Sequence, residues 1–201
     1  MAESTISKFK STLIGGGARP NLFEVVIPGT IPGGGALGEE FSVLCKAAQL
    51  PASNIASIDV PFRGRTFKVA GERTFDPWTV TIINDENFEI RKVMEEWMNF
   101  IGQYGDGSGA TTPGDYMVDA YVKQLKRTPS TISRNGNGEG GGLQQNTAAT
   151  YKFYSIFPTN VSAIDLSYDS ADTIEEFTVE MQVQWWDALN PDGTTQLGTN
   201  S

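Results

Sequence analysis

A chain of 201 residues with 24 acidic and 15 basic side chains, a net charge of -9 and no histidine has room for one domain with its own core. Its average field repels nucleic acid and anionic lipid, so stable binding to either is not expected. The missing histidine excludes His-assisted nucleophiles, and with Cys45 as the single cysteine it also excludes Cys/His zinc sites and an internal disulfide framework.

The opening stretch "MAESTISKFKSTLIGGG" has no apolar leader core, and no apolar run reaches membrane-span length, so a soluble protein made in a cytoplasm is expected. Ile6, Phe9 and Leu13 fall at helical spacing, but the segment is short and ends in three glycines. Residues 1–17 are therefore expected to form a flexible arm. "PNLFEVVI" (20–27) reads as a first strand, the Pro/Gly-rich 28–38 as a surface loop, and "FSVLCKAAQL" (41–50) as a second strand. The 22 glycines concentrate in such loops and leave the core pattern intact.

Residues 50–73 hold two β-rich runs around Arg63-Gly64, with Ile58, Val60 and Phe62 alternating before the turn and Phe67 and Val69 after it. This is a hairpin or bent arm projecting past the main sheet, and Pro61 and Pro77 require free edges or bulges. "RTFDPWTVTIIN" continues as a strand. Asp85 then caps a helix over 86–101, whose stripe of Ile90, Val93, Met94, Trp97 and Ile101 should lie on a sheet face until Gly102 stops it. Residues 104–115 read as loop, 116–127 as strand, and the polar 128–147 as a long surface loop.

Three closing strands follow: "ATYKFYSIF", "VSAIDLSY" and "IEEFTVEMQVQWW". In the last, Phe177, Val179, Met181, Val183 and Trp185 share one face while Glu176, Thr178, Glu180, Gln182 and Gln184 share the other. Seven or eight strands and one helix predict a mainly β fold, an antiparallel sandwich or barrel.

Chemistry is sparse. No glycine run leads into the Gly-Lys-Ser/Thr of a phosphate loop, and the Glu175-Glu176 and Asp169/Asp172 pairs lack EF-hand spacing and read as solvated carboxylates. "NVS" (160–162) matches a glycosylation acceptor in three letters only. The basic group Arg63, Arg65, Lys68 and Arg73 fits ion pairs within or between subunits better than a nucleic-acid patch in so acidic a chain. Trp97 and Trp185 belong to core faces, which argues against a sugar platform, whereas Trp186 faces away and suits an interface. No catalytic, metal or cofactor residues are assigned. Edge strands, a projecting arm and a polar strand face leave assembly as the function that physics supports.

Five stretches in order, "ARPNLFEV" (18–25), "CKAAQLPAS" (45–53), "KVAGERTFDPWTVTIINDE" (68–86), "FPTNVSAIDLSYDS" (157–170) and "IEEFTVEMQVQWW" (174–186), resemble the tail tube proteins of contractile-tailed, T-even-like bacteriophages. The loops at 28–38, 104–115 and 128–147 depart from that pattern in length and glycine content. The resemblance implies a single tube domain over 1–201, a two-sheet antiparallel β-sandwich/barrel with one flanking α-helix, whose sheets join between subunits into a ring-shaped β-barrel. Hexameric rings would stack head to tail into a hollow conduit for DNA, driven into the host when a sheath contracts.

By the same resemblance the arm at 50–73 would touch neighbouring subunits through Arg63, Arg65 and Lys68; the alternative is a hairpin serving only its own chain. Glu176 and Glu180 are the candidates for an acidic lumen face that DNA passes in transit without binding. Implied partners are further copies of the chain, the sheath protein, the baseplate or initiator, the tape measure and the tail terminator. The implied location is the virion, after assembly in the host bacterial cytoplasm. Competing readings are a tube subunit of a related contractile injection or secretion machine that delivers protein, and a carbohydrate-binding β-sandwich module.

Overall fold

Alternation of apolar and polar side chains dominates the fold. In β5 (Trp78–Ile83) the residues Trp78, Val80 and Ile82 are buried. They lie opposite Met181, Val179 and Phe177 of the antiparallel strand β8 (Glu176–Gln182), so the two strands bury one common face. A computed structural model of the chain describes residues 2–13, 17–127, 147–169 and 172–189.

Within these the remaining strands are β1 (Phe23–Val26), β2 (Cys45–Ala48), β3 (Ser53–Phe62), β4 (Arg65–Phe75), β6 (Val118–Leu125), β7 (Thr147–Val161) and β9 (Trp185–Leu189). The helices are α1 (Ala2–Thr12), α2 (Glu39–Leu44), α3 (Glu89–Ile101) and α4 (Pro113–Tyr116). The architecture is mainly β and antiparallel, as the sequence pattern predicts. The main sheet runs β1-β6-β7-β8-β5-β2, with β9 added on β7, and β3-β4 forms a separate two-stranded sheet.

Two compact units share the chain. The larger comprises Val25–Tyr121 and Lys152–Trp186, and the smaller the remaining described residues. In the larger unit Trp78 stacks on Phe153 at 4.8 Å between ring centroids. The helix α3 buries Ile90, Met94 and Trp97. Arg91 of α3 lies over the ring of Phe177 at 5.4 Å and donates to the Ser162 carbonyl at 3.1 Å, which seats the helix on the buried face of β8. The Trp97 indole N–H donates to the Tyr116 carbonyl at 2.8 Å, so the largest helix side chain satisfies its polar atom where the chain re-enters the sheet. In the smaller unit the Gln124 amide donates to the carbonyls of Arg19 and Leu22, and Lys123 pairs with Glu24 at 3.2 Å.

The helix expected from residue 86 starts at Glu89, because Phe88 sits in the left-handed region at φ 57° and breaks the helical run before it. The N-cap is therefore Phe88, whose side chain makes no cap bond, and Asp85, three residues earlier, instead accepts the amides of Asn87 at 3.1 Å and of Glu89, the first helical residue, at 3.0 Å. Asp85→Ala is expected to remove about 1 kcal/mol of stability, read as a fall of about 2–4 °C in the thermal midpoint.

Several expectations change. Residues 2–12 form a helix where a flexible arm was expected, and near its end the Ser11 and Thr12 hydroxyls donate back to the Lys8 carbonyl at 2.9 and 2.7 Å. The expected strand at 41–50 begins only at Cys45. Before it, Glu39 and Glu40 stabilise the positive end of α2, and Phe41 turns inward. "VSAIDLSY" contributes only Val161, to the end of β7, and its later residues are irregular. Trp185 is partly exposed and not in the core: β8 ends at Gln182, the phase slips at Val183–Gln184, and Trp185 stacks on Tyr154 at 5.1 Å. The glycines of 28–38 are more than loop filler. Gly33 at φ 102° approaches α3 so closely that a Cβ would stand 2.9 Å from the Glu96 carbonyl oxygen. The expected loop at 128–147 lies outside the described residues except for Thr147, which opens β7.

Cys45 is buried and its thiol donates to the Ala47 carbonyl at 3.5 Å; burial, the larger cause, pushes the thiol up to about 11. The folded chain then holds a proton that the unfolded chain releases near pH 9. Stability must therefore fall as pH rises from about 9 to about 11. Urea midpoints measured across that window are expected to drop further for the parent chain than for Cys45→Ala.

Candidate functional site

The β3-β4 hairpin is built from residues that bury little against the described residues of their own chain. Every residue of β3 is exposed, as is most of β4. Cross-strand pairing sets Ile58 opposite Val69, Val60 opposite Phe67 and Phe62 opposite Arg65. Because side chains alternate, these residues share one face, and Asp59, Pro61, Thr66 and Lys68 share the other. The result is an amphipathic ribbon whose apolar face is bare.

The turn explains its sharpness. Arg63 at φ 47° and Gly64 at φ 78° both have positive φ, the signature of the tight hairpin turn whose twist matches the strands. Arg63 folds back over the Phe62 ring at 5.3 Å. The base is fastened by three contacts: the Asn54 amide to the Asp76 carboxylate at 2.9 Å, the Asp76 N–H to the Ala52 carbonyl at 3.0 Å, and an edge contact of Phe75 on Trp186 at 6.2 Å. A two-stranded ribbon is marginal alone in water, so a ribbon with an anchored base and a bare face is shaped to be covered.

Of the basic residues singled out above, Lys68 pairs loosely with Asp59 at 3.6 Å on the polar face. Arg65 lies on the apolar face at the tip, and Arg63 lies in the turn. The three are thus brought together at one end of the ribbon but on different sides of it.

Glu176 and Glu180 do share a face with Thr178, turned away from buried Phe177, Val179 and Met181. Their environments differ. Glu176 accepts a 2.5 Å ion pair from Lys46 on β2, while Glu180 stands opposite Thr79 and Asn160 with no ion pair among the described residues. Sequence reasoning missed Lys46, because a bulge between Cys45 and Ala47 governs its reach and no alternation rule signals a bulge. Glu175 is occupied differently, accepting from the Asn84 amide at 3.1 Å. Among the described residues no group of three or more Cys, Asp or Glu side chains could hold a metal ion.

An open antiparallel sheet ending in β1 and β2, a polar strand face and a bare amphipathic hairpin define a structural β-protein made for contact with other chains. Comparison with known proteins gives the class its particular form. A model of the phage tail tube protein family matches residues 18–188, and the chain belongs to that family. The tail tube protein gp19 of Enterobacteria phage T4 is 34% identical over 170 residues, covering 85% of this chain and 91% of that protein. A tail tube protein of Serratia phage KSP90 is 22% identical over 184 residues, covering 89% and 94%.

Among solved structures the fold is similar to a chain of the anti-feeding prophage baseplate, at a TM-score of 0.56 with 9% identity, covering 87% of this chain and 97% of that one. It is also similar to a chain of the sheath/tube terminator of an extracellular contractile injection system, at 0.54 with 11% identity, covering 87% and 97%. The chain is a tail tube subunit and a component of the virion.

Proposed function

We propose that six copies of this chain close into a ring through the free edges of the main sheet, and that rings stack into a hollow tube that carries DNA into the host when a surrounding sheath contracts. The observation that carries the reading is the bare face of the β3-β4 hairpin, which a neighbouring copy would cover. Burial of Ile58, Val60, Phe62, Phe67 and Val69 would supply the association energy at about 25 cal/mol per Å² of apolar surface. Arg63, Arg65 and Lys68 at the tip would steer and register it.

The face bearing Glu176 and Glu180 would line the lumen. Glu180, without a cation beside it, would repel passing phosphates, while the Lys46 pair would partly mute Glu176. Sheath, baseplate or initiator, tape measure and terminator proteins complete the set of partners, and assembly takes place in the bacterial cytoplasm. The DNA-conducting reading is favoured over a protein-delivering injection device by the 34% identity to a phage protein, against 9–11% to chains of the injection systems.

The test is sedimentation velocity over a concentration series. The parent chain is expected to show a six-subunit species and larger stacks. Arg63→Glu with Arg65→Glu is expected to shift half-assembly to about tenfold higher concentration, the equivalent of about 1.4 kcal/mol. A concentration-independent monomer for the parent chain would overturn the reading.

A further inference from the structure

The hairpin and a second open surface stand at opposite ends of the same strands. At one end the hairpin base closes where the Asp76 N–H meets the Ala52 carbonyl, and Trp78, two residues on, lies opposite Met181. At the other end Ile83 lies opposite Glu176, and the Asn84 N–H donates to the Glu175 carbonyl at 2.9 Å. There the described residues between β7 and β8 line a cleft of about 620 Å³. Six residues of β5 put about 20 Å between the two ends.

The cleft is as bare as the hairpin. Leu166, Tyr168 and Ile174 line it and are exposed, and Asp165 beside them has no ion pair among the described residues. The cations that reach this end are committed elsewhere: Lys46 to Glu176 and Arg91 to Glu95. The hairpin tip has the converse character. Arg65 stands opposite exposed Phe62 and two residues before exposed Phe67, on the same face and with no ion pair among the described residues.

Hairpin and cleft belong to one compact unit, yet both stay open, so a chain does not fill its own cleft. Complementary surfaces at opposite ends of one chain are the head-to-tail kind: a second copy satisfies one and leaves a fresh one open for the next. We propose that the hairpin tip of one copy enters the β7–β8 cleft of the next, with Phe62 and Phe67 against Leu166, Tyr168 and Ile174 and with Arg65 facing Asp165. The aromatic side chains anchor the contact and the charge pair sets its register. The inference rests on the tube reading above and names the surface that receives the hairpin.

The experiment uses the full chain and reads the half-assembly concentration by sedimentation velocity. Arg65→Glu and Asp165→Lys are each expected to raise it about tenfold, and the two placed in one chain to bring it back near the parent value, since every contact then holds a reversed pair. Leu166→Asp with Tyr168→Asp is expected to block stacking while the urea unfolding curve of the single subunit stays at the parent's. In a Cys45→Ala background, Phe67→Cys and Ile174→Cys chains are mixed, oxidised and run without reductant. Disulfide-linked dimers that need both variants are the expected result.

Parent stacks whose two charge variants add their losses, with no rescue, would overturn the cleft as the receiver and leave the tube reading standing. Phe67→Cys chains that link to one another and not to Ile174→Cys would assign the hairpin to a second hairpin. A link within a single chain carrying both cysteines, below the assembly concentration, would assign the cleft to its own hairpin. Either overturns the proposal. If the parent chain makes no assembly at all, the tube reading falls and the docking with it.

Discussion

Alanine in place of Trp78 will lower the unfolding free energy by about 3–5 kcal/mol, a large part of the roughly 5–15 kcal/mol that holds a domain folded. Trp78 has no solvent exposure, stacks on Phe153 at an interplanar angle of 26°, and lies opposite Met181 on β8. Removing it empties the space where β5, β7 and β8 bury their shared face, and neighbours held by strand pairing collapse only partly. Trp78→Phe should cost much less, because the indole N–H is buried with no hydrogen-bond partner among the described residues and its removal relieves an unmet donor. Urea unfolding of the three proteins at a concentration below assembly gives the order: parent, then Phe, then Ala. Equal losses for Phe and Ala would show that the indole donor is satisfied in solution.

Aspartate at both Phe62 and Phe67 will abolish tube formation while the single subunit stays as stable as its parent. These side chains are 65% and 67% exposed, so their loss should change subunit stability by no more than about 0.5 kcal/mol. Within an interface a buried aromatic anchor is worth about 2 kcal/mol or more, a shift of about 30-fold in association, and each ring would repeat it in every subunit. The readout pairs a denaturation curve with sedimentation. Lost assembly with an unchanged curve assigns the face to a neighbour; lost assembly with a destabilised subunit would mean that the hairpin serves its own chain.

What the sequence revealed follows from where periodicity acts alone. In β5 and β8 every second residue is apolar over six or seven positions, and in α3 the spacing of Ile90, Met94 and Trp97 fits one helical face, so element and buried side were both legible. The hairpin was readable for the same reason, helped by Arg63-Gly64 at its turn. Features that depend on a slip or on tertiary support were not. The phase break after Gln182 exposed Trp185, the run from Phe41 to Cys45 is apolar enough for helix or strand, and the bulge at Cys45–Ala47 brought Lys46 to Glu176. That ion pair altered one of the two acidic candidates, and no one-dimensional pattern carries it. The close seat of Gly33 and Gly35 on α3 likewise shows itself only when both elements are in place.

The measurement that bears most directly on the central claim is cryo-electron microscopy of the purified full chain, concentrated until it assembles. Hollow stacked rings of six subunits are expected, with each β3-β4 hairpin covered on its Ile58/Val60/Phe67 face by another copy and Glu180 turned to the lumen. Particles that remain single subunits at every concentration, or rings in which the hairpin face stays bare to solvent, would contradict it.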